Sequence, residues 1–336
     1  MRSEVNIVIP AITLNKELIE CLHSINKIKS KNFFVTIIFD YLTDKDINLK
    51  LNFKYNLIIS GRINMSKKRN IAVKKFNSKY IIFFDSDIKV HNKWRETAIK
   101  IKKKYLCDIV GGPSIIERKA DYLKKITYFS KTSYFVTGYL NFRKFKSSPR
   151  FCDWLESCNI LMLRSFYLKF QGMNETLYTG EDKEFQLRIR KLKKNLKVFY
   201  HPDLYVFHRE RKYIGFLLQR MTFGMDILNL INSNKGIIGF QPVLPLAVTL
   251  SLLYLIFNTS FEINLKIISI LIFSLIIFFF IFFDQRKKNV SSPIDILLIS
   301  FTIALANITF SIGSLIGIIG LKKILSKTVY RASRNN

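Results

Sequence analysis

The chain lacks paired cysteines. Its four, Cys21, Cys107, Cys152 and Cys158, form no CxxC, and no histidine stands at metal-ligand spacing from any of them. A disulfide framework or a zinc module is therefore not expected, and the thiols read as reduced residues of a cytosolic domain. Zinc-finger spacing, a basic region running into heptads and an aromatic-glycine RNA-binding signature are also missing, so nucleic acid is not an expected partner. An amino-terminal signal peptide is not expected either: Met1 to Glu4 leads directly into Val5-Asn6-Ile7-Val8-Ile9, too short for an h-region and strand-like in composition. Acidic residues are scarce, 24 Asp and Glu against 54 Lys and Arg, for a formal net charge of +30. Such a balance either decorates a solvated surface or attracts polyanions, anionic lipid and phosphorylated substrates among them.

What is present falls into two regimes. Up to about residue 212, short apolar runs alternate with helical spacings. Val5 to Ile9 ends at Pro10, and Leu18, Cys21, Leu22 and Ile25 recur at helical intervals. Phe34 to Phe39 is followed at once by Asp40, Tyr55 to Ser60 is closed by Gly61, and Tyr80 to Phe84 is ended by Asp85. Strand–helix alternation with near-continuous apolar strands predicts an α/β fold with a mostly parallel sheet covered on both faces. In such sheets ligands bind beyond the carboxyl ends of the strands, which is where Asp40, Asp85 and Asp87 fall. A basic, aromatic stretch from Ile116 to Arg150 reads as a helix-loop insert with a solvated face, or as a segment lying against anionic headgroups.

From residue 213 the solvent changes. Residues 213–238 are expected to form an interfacial amphipathic segment. Residues 239–325 are expected to form a transmembrane region with spans near 240–257, 267–283 and 296–321, none containing Asp, Glu, Lys or Arg. A basic tail, 326–336, follows. Asn258 to Asn264, between the first two spans, has no basic residue, whereas the next loop carries Arg286, Lys287 and Lys288. The positive-inside rule then predicts an integral membrane protein with a cytoplasmic catalytic domain. Three spans would leave Lys322, Lys323, Lys327, Arg331 and Arg334 outside, against that rule. The third stretch is therefore either a hairpin turning near Asn307 or Gly313 to Gly320, or a single span whose tail is tolerated. Each Lys or Arg beside anionic lipid contributes about 1 kcal/mol.

The chemistry centres on Asp85-Ser86-Asp87. Residues two apart on an extended segment point to one side, and two carboxylates there can hold a hard divalent cation together with phosphate oxygens. With this triplet in place, residues 5–208 resemble the family 2 glycosyltransferases, which have the GT-A fold. Val5 to Pro10 resembles the first strand of that family, and Ile37-Ile38-Phe39-Asp40 with Asp44 its acidic nucleotide-binding motif. Lys68-Arg69-Asn70 resembles its Arg-Asn helix and Asp85-Ser86-Asp87 its DxD. Asn159 with Arg164 resembles the segment before the acceptor side, and Gly180-Glu181-Asp182 with Arg188 the Glu-Asp motif. His201-Pro202 through His208 resembles the closing Pro…His motif. Two departures stand out. Asp40 is followed by Tyr41 rather than a second Asp. Gln186-Leu187-Arg188-Ile189-Arg190 lacks the Trp of the processive Gln-x-x-Arg-Trp motif, which implies single-sugar transfer.

The resemblance implies roles. Pro10, Asp40, Arg69 and Asp85 would hold a nucleotide-sugar donor. Asp85, Asp87 and His208 would bind Mg²⁺ or Mn²⁺, with His208 alternatively a structural histidine. Asp182 would act as general base with Glu181 in support, although Asp182 could instead be a helix N-cap. Trp154 either stacks on an acceptor sugar or belongs to the core. The expected activity is transfer to a glycan or lipid-linked acceptor in cell-surface polysaccharide or glycoconjugate synthesis. The alternatives are transfer to a polyprenyl phosphate and a non-catalytic membrane partner of a glycan-assembly complex.

Overall fold

Apolar runs near the amino terminus become four parallel strands: β1 (Val5–Pro10), β2 (Phe33–Phe39), β3 (Lys54–Ile59) and β4 (Tyr80–Phe84). The computed structural model describes residues 4–42, 50–227, 231, 243–258, 262–321, 325, 328–330 and 332. Asp44, the start of the first expected span, and Lys322, Lys323, Lys327, Arg331 and Arg334 lie outside them. The chain divides into two units, Met1–Glu117 with Phe142–Arg209, and Arg118–Asn141 with Glu210–Asn336.

In the first unit the strands run in the order β3-β2-β1-β4, then continue through β9 (Asn159–Leu163), β6 (Ile109–Gly111), β10 (Val198–Tyr200) and β8 (Arg150–Cys152). Strand β9 lies antiparallel between β4 and β6, and β8 closes the edge antiparallel to β10. β1, β2 and β4 are buried throughout, as a sheet covered on both faces requires. Helix α1 (Lys16–Asn26) is capped by Asn15, whose side chain accepts from Leu18 N at 2.9 Å, and buries Leu18, Cys21, Leu22 and Ile25. Helix α2 (Met65–Lys75) is capped by Asn64, which accepts from Lys67 N at 2.9 Å. A small second sheet sets β11 (Val206–His208) between β5 (Ile88–Val90) and β7 (Ser114–Ile115). Helix α3 (Trp94–Lys104) anchors this corner, Trp94 Nε1 donating to Leu204 O at 2.9 Å.

The second unit is helical. The basic, aromatic insert forms α4 (Tyr122–Thr132), whose Ile126 packs with Ile281, Val290, Ile296, Ile299 and Ile303. Tyr122 donates its hydroxyl to Asp295 at 2.6 Å, and Lys288 Nζ donates to Thr132 O at 2.6 Å. Helix α8 (Tyr213–Met225) does not stand free: Phe216, Thr222, Gly224 and Met225 are buried, and Tyr213 reaches Thr302 at 3.2 Å.

Two helices, Ile263–Arg286 and Pro293–Ile318, are long and apolar enough to cross a membrane by length and composition. Leu244–Phe257 is a shorter apolar helix of 14 residues. The third apolar stretch is one unbroken helix running through Asn307, Gly313 and Gly317. A hairpin at Asn307 or Gly313 is therefore not formed.

Candidate active site

Strand register brings the acidic motifs together. Asp85 follows β4 directly, and β5 begins one residue after Asp87. Pairing of β5 with β11 sets Ile88 opposite His208, and Arg209 N donates to Asp87 O at 3.1 Å. His208 thereby reaches the DxD turn from more than a hundred residues away. Its Nδ1 lies 2.9 Å from Arg209 O. Since a carbonyl only accepts, that nitrogen carries a proton, which leaves Nε2 on the side of the DxD turn. Nε2 stands 3.8 Å from Asp85 Oδ2 and 3.6 Å from Asp87 Oδ1.

Antiparallel pairing of β4 with β9 performs a second convergence. Phe84 faces Asn159, so the residue after one strand lies beside the residue before the other. Ligand atoms of Asp85, Cys158 and His208 lie within 4.8 Å of one another. Asn159 itself is buried, its Nδ2 donating to Gly112 O at 3.0 Å and Leu204 O at 2.7 Å. It locks the two sheets together, a structural use of the residue.

Arg69 links the two acidic motifs. Its guanidinium is 2% exposed, with NH2 2.7 Å from Asp85 Oδ1 and NH1 3.0 Å from Glu181 Oε1. The next residue, Asn70, donates to Met173 O at 2.8 Å and Glu175 Oε1 at 2.9 Å. Asn64 also bonds the carbonyls of Glu175 and Leu177. Helix α2 thus holds the loop that leads into Gly180-Glu181-Asp182. On its other side, Lys68 pairs with Asp40 at 2.6 Å and donates to Ala11 O, joining the ends of β1 and β2. Pro10 closes β1 at that point, buried.

Helix α7 (Glu181–Leu192) begins at Gly180, which occupies the N-cap position in left-handed conformation, φ 72°. Asp182 is therefore inside the first turn and is not the N-cap. Its Oδ2 accepts from Ser157 N at 3.0 Å and its Oδ1 from Lys183 N at 2.8 Å. Gln186, one turn on, exchanges bonds with Leu155 at 2.9 and 2.7 Å and fixes the 155–157 segment over the carboxylate. Burial pushes the Asp182 carboxyl up to about 7, with the charges of Glu181 and Glu156 adding to the rise, while the Ser157 amide and Arg143 oppose it. Glu156 is different. Burial would raise it, but Lys144 at 2.7 Å, Arg143 and the Ser114 hydroxyl at 3.0 Å hold it at about 2. One permanently charged carboxylate thus sits near one that titrates near neutrality. Trp154 is half-buried, with the Arg143 guanidinium 3.7 Å above its ring.

Sequence comparison supplies the family. The Glycosyl transferase family 2 profile matches residues 6–167. This stretch is a family 2 glycosyltransferase domain. No curated protein matches the sequence significantly. Among solved structures the chain is similar to the mannosyltransferase PcManGT from Pyrobaculum calidifontis, in complex with GDP-Man and Mn²⁺. The TM-score is 0.61 at 11% identity, over 95% of this chain and 88% of that one. Another similar structure is S. aureus TarS 1-349, TM-score 0.46 at 15% identity, over 94% and 92% of the two chains. The fold of the glycosyltransferase is therefore GT-A.

Of the residues expected in the site, Arg69, Asp85, Asp87, Glu181 and His208 are joined by the contacts above. Asp182 is tied in through Ser157, next to Cys158. Asp40 and Pro10 lie at the ends of β2 and β1, where Asp40 meets Lys68. Sequence reasoning gave no role to Lys68, Glu156 or Cys158. Lys68 adjoins the Arg-Asn pair and could have been noticed. Glu156 and Cys158 enter through an antiparallel strand, which no local pattern announces.

Proposed function

We propose that this glycosyltransferase moves one sugar from a nucleoside-diphosphate donor to a hydroxyl of a glycan or lipid-linked acceptor, with Mg²⁺ or Mn²⁺ beside the donor phosphates. The observation that carries the reading is the Arg69 bridge between Asp85 and Glu181, which sets a DxD turn and a Glu-Asp helix start around one centre. The likeness to a mannosyltransferase solved with GDP-Man and Mn²⁺ supports it. The donors suit a divalent cation: the imidazole of His208, whose Nδ1 is held by a carbonyl, lies 3.8 Å from the Asp85 carboxylate and 3.6 Å from that of Asp87. When bound, the cation supplies charge neutralisation to the departing nucleoside diphosphate. Arg69 is too buried to reach far, so it positions Asp85 and Glu181 instead of gripping the nucleotide itself. Lys68 in turn holds Asp40 for the nucleoside end.

Asp182 bears on the class of acceptor. A carboxylate that titrates near 7 is matched to removing a proton at neutral pH. A hydroxyl acceptor must lose its proton as its oxygen bonds to the anomeric carbon and the nucleoside diphosphate leaves. A phosphate acceptor is already ionised and needs no base. The raised carboxyl of Asp182 thus supports a hydroxyl over a polyprenyl phosphate. We place the acceptor at the cytoplasmic face of a membrane rich in anionic lipid, in synthesis of surface polysaccharide or glycoconjugate.

The test is release of nucleotide from a panel of nucleotide sugars by the full chain in detergent, with and without acceptor. Asp182→Asn should lower transfer by about two to four orders of magnitude while donor affinity holds. Excess EDTA should abolish transfer. Near-normal turnover of Asp182→Asn would remove Asp182 as base, and wild-type activity in EDTA would remove the cation. Failure of the wild type to turn over any donor would leave the non-catalytic partner as the better reading.

A further inference from the structure

The cation site has a neighbour that hard ions do not use. Cys158 stands immediately before β9, and the β4–β9 register sets it beside Asp85. Its Sγ belongs to a set with an Asp85 carboxylate oxygen and a His208 ring nitrogen, all within 4.8 Å of one another. Donors bonded to one Zn²⁺ at about 2.0–2.3 Å lie roughly 3.5 Å apart in a tetrahedron, so closing this set needs side-chain movements of roughly an ångström.

We propose that Cys158 adds a thiolate to the His208–Asp85 cation site, so that the site takes Zn²⁺ and Cd²⁺ ahead of Mg²⁺ and Mn²⁺. The proposal rests on the reading of this turn as a cation site and specifies which ions it selects. Mg²⁺ and Mn²⁺ favour oxygen donors. A sulfur, an imidazole nitrogen and a carboxylate oxygen together are the donor set of Zn²⁺. The Irving–Williams order adds to the same preference. His208 is already oriented for it, since its Nδ1–H is committed to Arg209 O. Binding forms a sulfur–metal bond, breaks the Cys158 S–H bond and releases that proton to the buffer, with no change in oxidation state. Zn²⁺ would therefore compete with Mn²⁺ for the site. Cys21 is the natural control. Its Sγ lies 3.7 Å from the backbone oxygen of Asp85, close to the site but outside the converging set.

The experiment titrates Cd²⁺ into metal-stripped, full-length protein in detergent and reads the ultraviolet sulfur-to-cadmium charge-transfer band, with bound Mn²⁺ followed separately by electron paramagnetic resonance. Wild type and Cys21→Ser should both develop the band at a single Cd²⁺ per chain and release Mn²⁺. Cys158→Ser should lose the band, and its Cd²⁺ affinity should fall at least about tenfold while Mn²⁺ affinity stays within about threefold. A band that survives in Cys158→Ser, or that disappears in Cys21→Ser, would overturn the assignment. Mn²⁺ binding by the wild type with no band on adding Cd²⁺ would overturn it too, while leaving the cation site standing. A wild type that binds neither ion would overturn the site itself.

Discussion

Asp182 and Glu156 show how two carboxylates in one neighbourhood are driven apart. Lys144 and Ser114 bond Glu156 directly, whereas the Asp182 oxygens accept from the backbone amides of Ser157 and Lys183. Asp182 is thus protonated below about pH 7 and becomes a competent base above it. The expected pH profile of kcat/KM has an acid limb near that value, with activity lost as pH falls. Ionised Glu156 contributes to the rise of Asp182. Glu156→Gln removes that negative charge and frees Lys144, and both changes favour the Asp182 carboxylate. Its acid limb should therefore move to lower pH, by roughly half a unit or more, which a profile of the two enzymes over the same buffers measures. A limb that moves to higher pH, or stays fixed, would show that Asp182 does not set it.

At the scale of elements, the parallel half of the sheet was legible because its strands are mainly apolar runs closed by a proline, an acid or a glycine. Asp40 after Phe39 and Asp85 after Phe84 marked the carboxyl edge, and both are found there. The apolar run 158–163 has the composition of a strand, but nothing in it encodes a direction. Only the antiparallel register of β9 places Cys158 beside Asp85 and Ser157 over Asp182. The insert after Ile116 was the hardest part. Its lysines suggest a solvated face, yet Ile126 is buried among isoleucines more than 150 residues away, a pairing that no local periodicity encodes. Helix α8 and the helix Pro293–Ile318 meet through glycine. A Cβ on Gly313 would lie 2.1 Å from Met221 O, and one on Gly224 2.1 Å from Phe310 O. Both obstacles are backbone, so the helices must separate to admit a side chain. Gly313→Leu should destabilise this pair by about 1–3 kcal/mol or more, seen as a lower midpoint of thermal unfolding in detergent. Ile312→Leu, at a position 45% exposed, should leave the midpoint nearly unchanged.

For the whole molecule, the distribution of apolar surface matters most. Along Ile263–Arg286, Leu271, Ile272, Phe279, Phe280 and Phe283 are each more than half exposed. A contiguous surface of this kind needs an apolar environment, which we propose is lipid. The full chain should resist extraction by carbonate. A cysteine replacing Asn258 should react with an impermeant thiol reagent from outside intact cells, and one replacing Lys287 only after permeabilisation. The reverse pattern would invert the orientation drawn from the basic residues at 286–288.

The Arg69 bridge has a kinetic consequence. One guanidinium is shared by Asp85 and Glu181, which the proposed reading puts on the donor and the acceptor side, so on that reading the two halves of the site are coupled. A cation drawn to Asp85 takes over part of that carboxylate's charge and leaves Arg69 more firmly engaged with Glu181. Filling the donor half should then raise affinity for acceptor, and by thermodynamic reciprocity acceptor should raise affinity for donor by the same factor. Lysine in place of Arg69 keeps the charge but lacks the planar fork that spans two partners. Equilibrium titrations of each substrate at fixed levels of the other should therefore show synergy in the wild type, and near-independent binding in Arg69→Lys.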